Sequence, residues 1–428
     1  MTNHRELTTG RLGRLARLAG LGARTGLSLV ASRGVEAAAA QAAEVLGSLR
    51  GLAAKAGQMA SYIDGFVPEG QRAAYEAALS SLRRSAPTSS PEEIRALFES
   101  DLGAPTRELF EQFSEEPFAS ASIGQVHRAR LRDGRDVAVK IQHPGIDRAV
   151  ESDLENASVL RSVIGAALPR GTDTRRVFEE IRARFREELD YRLEAERQAA
   201  FAELFASDEA VRIPAVVASH SSRRVLTSEL AHGETLEQAA LRSEAERAAY
   251  ARTLWHFVFK GVLVGRMFNA DPHPGNYLFG EGGQITFLDF GCVELISEDR
   301  LAPARSMHVA AILRDEERFK DGVRRLLATR GGNYERVVLE YVRHTFTPMF
   351  ESPFNITPEY VTSVVQGVRA LKSQMLARDS SFVMPPPGLT MMNRLQFGFY
   401  SVLARLNVTV DYAAVEQALL QEAGVPIL

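Results

Sequence analysis

Asp271, Asn276 and Asp289 carry oxygen-bearing side chains at intervals that suit a reaction on a charged group. They lie in the stretch Asn269–Cys292, NADPHPGNYLFGEGGQITFLDFGC, separated by a glycine-rich turn at Gly280–Gly283 and a short apolar run, Ile285–Leu288. An aspartate, an asparagine five residues on, a hairpin and a second aspartate in Asp289-Phe290-Gly291 give the spacing of a phosphoryl-transfer loop. That reaction asks little covalent help of a protein: one carboxylate near the acceptor hydroxyl, and oxygen ligands for magnesium. Asp271 suits the first task, and Asn276 and Asp289 suit the second. The plain alternative is a capped turn followed by an ordinary strand end, since Asp, Pro, Gly and Asn are common turn formers. Two motif matches in the right order, joined by a hairpin of the right length, weigh against it.

The elements that must position these groups lie on both sides. Upstream, Ala119-Ser120-Ala121-Ser122-Ile123-Gly124-Gln125-Val126 fits the frame of the phosphate-covering loop G-x-G-x-x-G-x-V, with alanine at two of the three glycines. Asp133-Gly134 is a hairpin signal, and the strand after it ends Val137-Ala138-Val139-Lys140, whose lysine is placed to hold nucleotide phosphates. Thr174–Phe205 reads as one long charged helix with Glu187, Asp190, Glu194 and Arg197 on a single face. Such runs are commonly solvated ion pairs of little energy. In this context Glu188 and Glu194 are both candidates for the carboxylate that pairs with Lys140.

Val211–Leu230 reads as two strands turning at Ser219–Arg223 and closing an antiparallel sheet. Leu226–His232 has the character of a hinge, and Glu229 and Leu230 within it are assigned to nucleotide binding. Tyr250–Gly265 is an apolar helix that bears the single tryptophan, Trp255, and leads into the catalytic loop. After Cys292 only helices are expected: Asp299–Arg314, Glu316–Thr329, Tyr334–Phe350, Pro358–Ala377, Leu389–Leu406 and Tyr412–Ala423. The segment before Pro117 reads as all-helical, with Val35–Leu82 alanine-rich and Ser90-Pro91-Glu92-Glu93 a strong helix start.

The whole chain sets bounds. Its 428 residues, 45% hydrophobic and 25% charged, suffice for two or three domains with a large core. A net charge of -3 gives no general nucleic-acid signature. The single cysteine, Cys292, excludes an intramolecular disulfide, fits a reducing compartment and reads as a buried packing thiol. No run of 18 apolar residues occurs, which predicts no transmembrane helix, and a cytoplasmic protein that touches membranes at most peripherally. Residues 1–34 differ from the rest: Arg5, Arg11, Arg14, Arg17, Arg24 and Arg33 face only Glu6 among interleaved leucines. That composition suits a helix on an anionic membrane surface, an organelle transit segment, or an exposed helix packing its leucines on the next domain. The expected organisation is a basic amphipathic arm over 1–34, a helical extension over 35–116, a sheet-containing lobe over 117–234 and a helical lobe over 235–428.

With Lys55-Ala56-Gly57-Gln58, Ala119-Ser120-Ala121-Ser122, Val137-Ala138-Val139-Lys140, Glu188-Leu189-Asp190 and Asp271-Pro272-His273-Pro274-Gly275-Asn276 in order, the chain resembles the UbiB/AarF family of atypical kinases. The resemblance implies an α+β, protein-kinase-like bilobal fold, a small antiparallel sheet lobe plus a helical lobe, with an N-terminal helical K-x-G-Q extension over the cleft. It implies that Lys55 and Gln58 face the nucleotide pocket, that Glu188 and Asp190 hold that arrangement, and that Glu194 pairs with Lys140. ATP and Mg2+ are the implied cofactors. Quinone-biosynthesis proteins or lipid precursors are the implied partners, with ATP hydrolysis better supported than protein phosphorylation. The residues agree on one point, because Val293–Met307 is expected to run directly into helix with no A-P-E segment for docking a peptide. A small-molecule kinase of the aminoglycoside or choline type and a nucleotide-sensing module without turnover remain the alternatives.

Overall fold

The computed structural model describes residues 89–120, 123–155, 174–376, 383 and 389–428. The basic arm, the alanine-rich helix expected to carry Lys55 and Gln58, and the loop residues Ala121 and Ser122 lie outside the described residues. The described residues form two compact units, one of those up to Arg132 and those of Val139–Leu189, the other of Asp133–Ala138 and those of Asp190–Leu428.

In the first unit, α1 (Pro91–Leu102) starts as the sequence predicts. The Ser90 hydroxyl accepts from the Glu93 amide, the Glu93 carboxylate accepts from the Ser90 amide, Pro91 takes the first helical position, and Gly103 closes the helix at φ 73°. A short α2 (Thr106–Leu109) runs straight into β1 (Phe110–Phe113), which pairs antiparallel with β3 (Gly124–Leu131). The sheet therefore begins inside the segment expected to be all helix. Phe98, Phe110 and Phe113 gather with ring centroids 5.7 to 6.1 Å apart, and this burial against α1 with pairing to β3 overrides local helix preference.

The two-residue β2 (Ala119–Ser120) pairs with Val126 and Gln125 of β3. From β3 the chain turns at Gly134, φ 89°, into β4 (Asp136–Gln142). In β4, Val137, Val139 and Ile141 are fully buried and alternate with the half-buried Ala138 and Lys140, the period-two pattern of a strand with one core face. Helices α3 (Ile146–Glu155) and α4 (Thr174–Glu188) complete this unit, joined by an Arg186–Glu151 ion pair at 2.8 Å.

The helix read as continuous from Thr174 to Phe205 is two helices. Asp190 adopts φ -123°, ψ 94°, and its carboxylate accepts the Arg192 amide at 3.1 Å, so it caps α5 (Tyr191–Leu204). Asp favours this role because its short side chain satisfies an otherwise unpaired amide at a helix start. The two strands read across Val211–Leu230 also separate. β5 (Val211–Arg212) pairs parallel with a strand further on, while β6 (Val225–Glu229) joins the main sheet, whose order is β1-β3-β4-β6 with β2 on β3. A 3-10 turn at Ala218–His220 and a lone Val216–Ser228 bridge occupy the place of the expected hairpin.

The second unit continues with α6 (Leu236–Ala239), α7 (Glu244–Leu263), β7 (Met267–Asn269), β8 (Tyr277–Phe279), β9 (Ile285–Phe287) and β10 (Val293–Leu295). β9 lies between β5 and β8, and β10 pairs antiparallel with β7. Then come α8 (Glu298–Leu313), α9 (Glu316–Leu327), α10 (Gly332–Thr345), α11 (Thr347–Phe350), β11 (Phe354–Asn355), α12 (Pro358–Leu376), α13 (Leu389–Leu406), β12 (Thr409–Val410) and α14 (Tyr412–Glu422). The helices stand close to their expected bounds. The strands β10, β11 and β12 correct the expectation of helices only, and each is too short to show a pattern in sequence.

The core of this unit is built on α7. Trp255 is 1% exposed, stacks among Phe259, Phe399, Tyr400 and Tyr412, and donates its indole N–H to Glu416 at 3.0 Å. Aromatic side chains supply the largest buried area per residue, and here they tie α7 to α13 and α14.

Candidate active site

The loop expected to be catalytic follows β7 and is held by its own polar groups. Asn276 donates its amide N–H to both the backbone carbonyl and the carboxylate of Asp271, at 3.1 and 3.0 Å. His273 caps the 3-10 turn Pro274–Asn276 by accepting the Gly275 amide on Nδ1 at 3.0 Å. These bonds fix the half-buried Asp271 carboxylate in one direction, the requirement for a positioned proton acceptor. With Nδ2 engaged on Asp271, the side-chain atom that Asn276 can offer a cation is Oδ1.

Asn269 ties the two halves of the site together, and the sequence reading did not single it out. Its carbonyl oxygen accepts the Asp271 amide at 3.0 Å, and its Nδ2 donates to the Asp289 carbonyl at 2.8 Å. One side chain thus sets both aspartates. The available signal was an asparagine two residues before Asp271, between the buried Phe268 and Ala270, a place where an amide needs partners.

Asp289 has φ 59°, in the left-handed region that a non-glycine residue rarely occupies. Such a backbone costs on the order of 1 to 3 kcal/mol and persists where surrounding contacts over-determine it. Here the Asn269 bond holds its carbonyl, and its Oδ1 accepts the Gly291 amide at 3.1 Å. Next door Phe290 is fully buried against Phe201 with centroids 5.0 Å apart.

Helix α5 presents Glu194, Arg197 and Phe201 to this segment at helical spacing. The Arg197 guanidinium donates to the Gly291 carbonyl at 2.9 Å, and Glu194 is buried. A methyl group added at Gly291 would stand 3.2 Å from Asp289 Oδ1 and 3.6 Å from Glu194 Oε2, so these two carboxylates converge on Gly291. Between the two glutamates left open by the sequence, Glu194 is the one beside Asp289-Phe290-Gly291. Glu188 is the last residue of α4 in the other unit.

The remaining assigned residues fall as follows. Ala119 and Ser120 form β2. Gly124 opens β3, and Val126 is half-buried on the β3 face opposite Gln125 and His127. Lys140 is half-buried near the end of β4. The amides of Glu229 and Leu230 are engaged within the fold, donating to the carbonyls of Ala215 and Asp136 at 3.0 Å each. Their N–H groups are therefore structural donors. The Asp190 carboxyl is held below its ordinary range chiefly by the Arg192 guanidinium. Tyr277 is pushed well up by burial, with the Asp271 carboxylate adding to it, so its phenol stays protonated. Cys292 is half-buried, packed at the edge of the core, where the sequence suggested full burial. Among the described residues no group of three or more His, Cys, Asp and Glu side chains forms a metal cluster, and no helix is long and apolar enough to cross a membrane.

Comparison with known proteins supplies the family. The chain is 29% identical over 389 residues to the Caenorhabditis elegans mitochondrial atypical kinase coq-8, covering 88% of this chain and 50% of that protein. It is 32% identical over 312 residues to the rat mitochondrial atypical kinase COQ8B, covering 68% of this chain and 58% of that one. The chain thus spans about half the length of the curated relatives it matches. Among solved structures, the Mycobacterium tuberculosis protein Rv3197 in complex with erythromycin superposes with a TM-score of 0.63 at 27% identity, covering 89% of this chain and 95% of that one. The fold is kinase-like, and residues 81–322 match the ABC1 atypical kinase-like domain. A catalytic loop and an aspartate-phenylalanine-glycine turn locked together by Asn269, in a chain with that match, make this protein a member of the ABC1 (UbiB) family of atypical kinases.

Proposed function

We propose that this chain is a magnesium-dependent, ATP-using atypical kinase or ATPase that acts in quinone or other isoprenoid-lipid metabolism and does not phosphorylate proteins in trans. The observation that carries the reading is the coupling of Asp271, Asn276 and Asp289 through Asn269 and Asn276 side-chain bonds. The donor set suits the cation: Asn276 Oδ1 and the Asp289 carboxylate are hard oxygen ligands of the kind magnesium takes. Magnesium, when bound, neutralises charge on the phosphate oxygens.

In this reading Asp271 accepts the proton of the attacking hydroxyl or water, its orientation set by Asn276. Lys140 is assigned to the nucleotide phosphates and Glu194 to holding that lysine. The strand β10 runs from Cys292 straight back along β7 and into α8 at Glu298, which leaves little chain for a peptide-docking segment and supports a small or lipid acceptor, or water.

The test is magnesium-dependent ATP turnover and binding by the full chain, with Asp289→Asn and Lys140→Ala. Each variant should lose about 100-fold or more in kcat/KM, the scale of removing one preorganised charge contact. Turnover and magnesium-ATP affinity unchanged in both variants would overturn the assignment.

A further inference from the structure

The catalytic loop has a backstop that no motif covers. Gly398 lies on α13, about a hundred and twenty residues beyond the loop in sequence, yet a Cβ built on it would fall 2.3 Å from Pro272 Cγ, 3.2 Å from its Cβ and 3.5 Å from its Cδ. Pro272 is buried and follows Asp271 directly. Ordinary van der Waals contact begins near 3.4 Å, so any side chain at Gly398 requires one of the two elements to move by about 1 Å.

Neither partner yields easily by local adjustment. The pyrrolidine is a rigid ring, so a push on Cγ is passed to the backbone. Helix α13 is anchored through its other contacts: Phe399 and Tyr400 stack on Trp255, the Tyr400 hydroxyl donates to the Thr345 carbonyl at 2.8 Å, and Arg405 pairs with Glu237 at 2.8 Å. The loop between β7 and β8, by contrast, has no regular element beyond the 3-10 turn Pro274–Asn276, and is held by side-chain bonds from Asn269, His273 and Asn276 and by backbone bonds from the Asn276 amide to His273 at 2.9 Å and from the Leu288 amide to Asn276 at 2.8 Å. The displacement therefore falls mainly on the loop.

We infer that Gly398 is a positioning residue for the reaction: its bare Cα lets α13 press on Pro272 and so sets the place of the Asp271 carboxylate. The inference rests on the phosphoryl-transfer reading of the loop. A misplacement of about 1 Å at a reacting group costs on the order of 100-fold in rate, while nucleotide contacts made elsewhere are unaffected. Gly398→Ala should thus lower kcat about that much with KM for ATP unchanged.

The control is Gly367→Ala on α12, where a Cβ would meet the ring carbon Tyr341 Cδ2 at 2.9 Å, a milder overpacking away from the loop. The experiment measures ATP turnover, thermal protection by magnesium-ATP, and amide exchange of residues 269–277 in the full-length wild type, both single variants and the Gly398→Ala, Pro272→Ala pair. The expected result is a kcat loss with faster exchange over 269–277 in Gly398→Ala alone, recovered at least tenfold when Pro272 is also cut back. Wild-type kcat and exchange in Gly398→Ala would overturn the inference, as would equal losses in Gly398→Ala and Gly367→Ala, which indicate overpacking with no special tie to the loop. A wild type with neither turnover nor nucleotide protection would instead reject the functional reading, and the exchange of residues 269–277 would still report on Gly398 by itself.

Discussion

His127 shows how one side chain in the sheet couples fold to pH. It is fully buried, its Nδ1–H donates to the Ser114 carbonyl at 2.8 Å, and its Nε2 accepts from Gln125 at 2.9 Å. Gln125 is held in that orientation because its carbonyl oxygen accepts the Ser89 amide at 3.1 Å. Both ring nitrogens are thus committed in the neutral form, and burial depresses the His127 pKa below its ordinary 6.5 against a smaller opposing effect of the Ser114 bond. The folded state binds fewer protons than the unfolded one, so this contribution to stability is present above pH 6.5 and is lost as pH falls through the lower folded value. His344 is shifted the same way, mainly by burial. Urea unfolding should therefore show a lower midpoint at pH 5.5 than at pH 7.5, and His127→Gln should flatten part of that difference. An unchanged pH dependence in the variant would contradict the assignment. Such a residue was invisible beforehand, since nothing near it in sequence says that Ser89 and Ser114 close the network. The segment that holds Asp271, Asn276 and Asp289 stands out in the sequence because its motifs are local, each within a few residues of a turn.

At the scale of elements, legibility followed length and period. The helices of the second unit repeat their apolar residues over many turns, and Leu395, Phe399, Val402 and Leu406 form the buried stripe of α13. The elements missed are two- to four-residue strands, β1, β10, β11 and β12, whose existence depends on a partner far along the chain. The break at Asp190 was missed because a helix face and a helix cap both tolerate aspartate, and the geometry of α5 decides between them. Helix packing has a buried polar pin that sequence also hides: Glu416 is fully buried, accepting from Trp255 of α7 on one oxygen and from His308 of α8 on the other. Replacing it by alanine leaves two buried donors without partners, at about 1 to 3 kcal/mol for each. Glu416→Ala should lower the unfolding midpoint of the second unit clearly, and Glu416→Gln, which keeps an acceptor for the indole, should cost less. Equal and negligible shifts in both would show that the pin contributes nothing.

For the whole molecule, the kinase-like architecture was readable from the order of motifs, whereas its division was not. Strand β4 begins in one compact unit and ends in the other, and α4 and α5, read as one helix, belong to different units. Of the residues assigned to the proposed chemistry, Lys140 belongs to the first unit, and Asp271, Asn276, Asp289 and Glu194 belong to the second. In the proposed function the second unit holds a working phosphoryl-transfer loop with Asp271 as its proton acceptor. The most direct test compares magnesium-ATP binding and turnover in the full-length wild type and Asp271→Asn. Binding should stay within about threefold of wild type while turnover falls by roughly 100-fold to 10,000-fold, the range of a lost general base. Turnover equal to wild type in Asp271→Asn would contradict it.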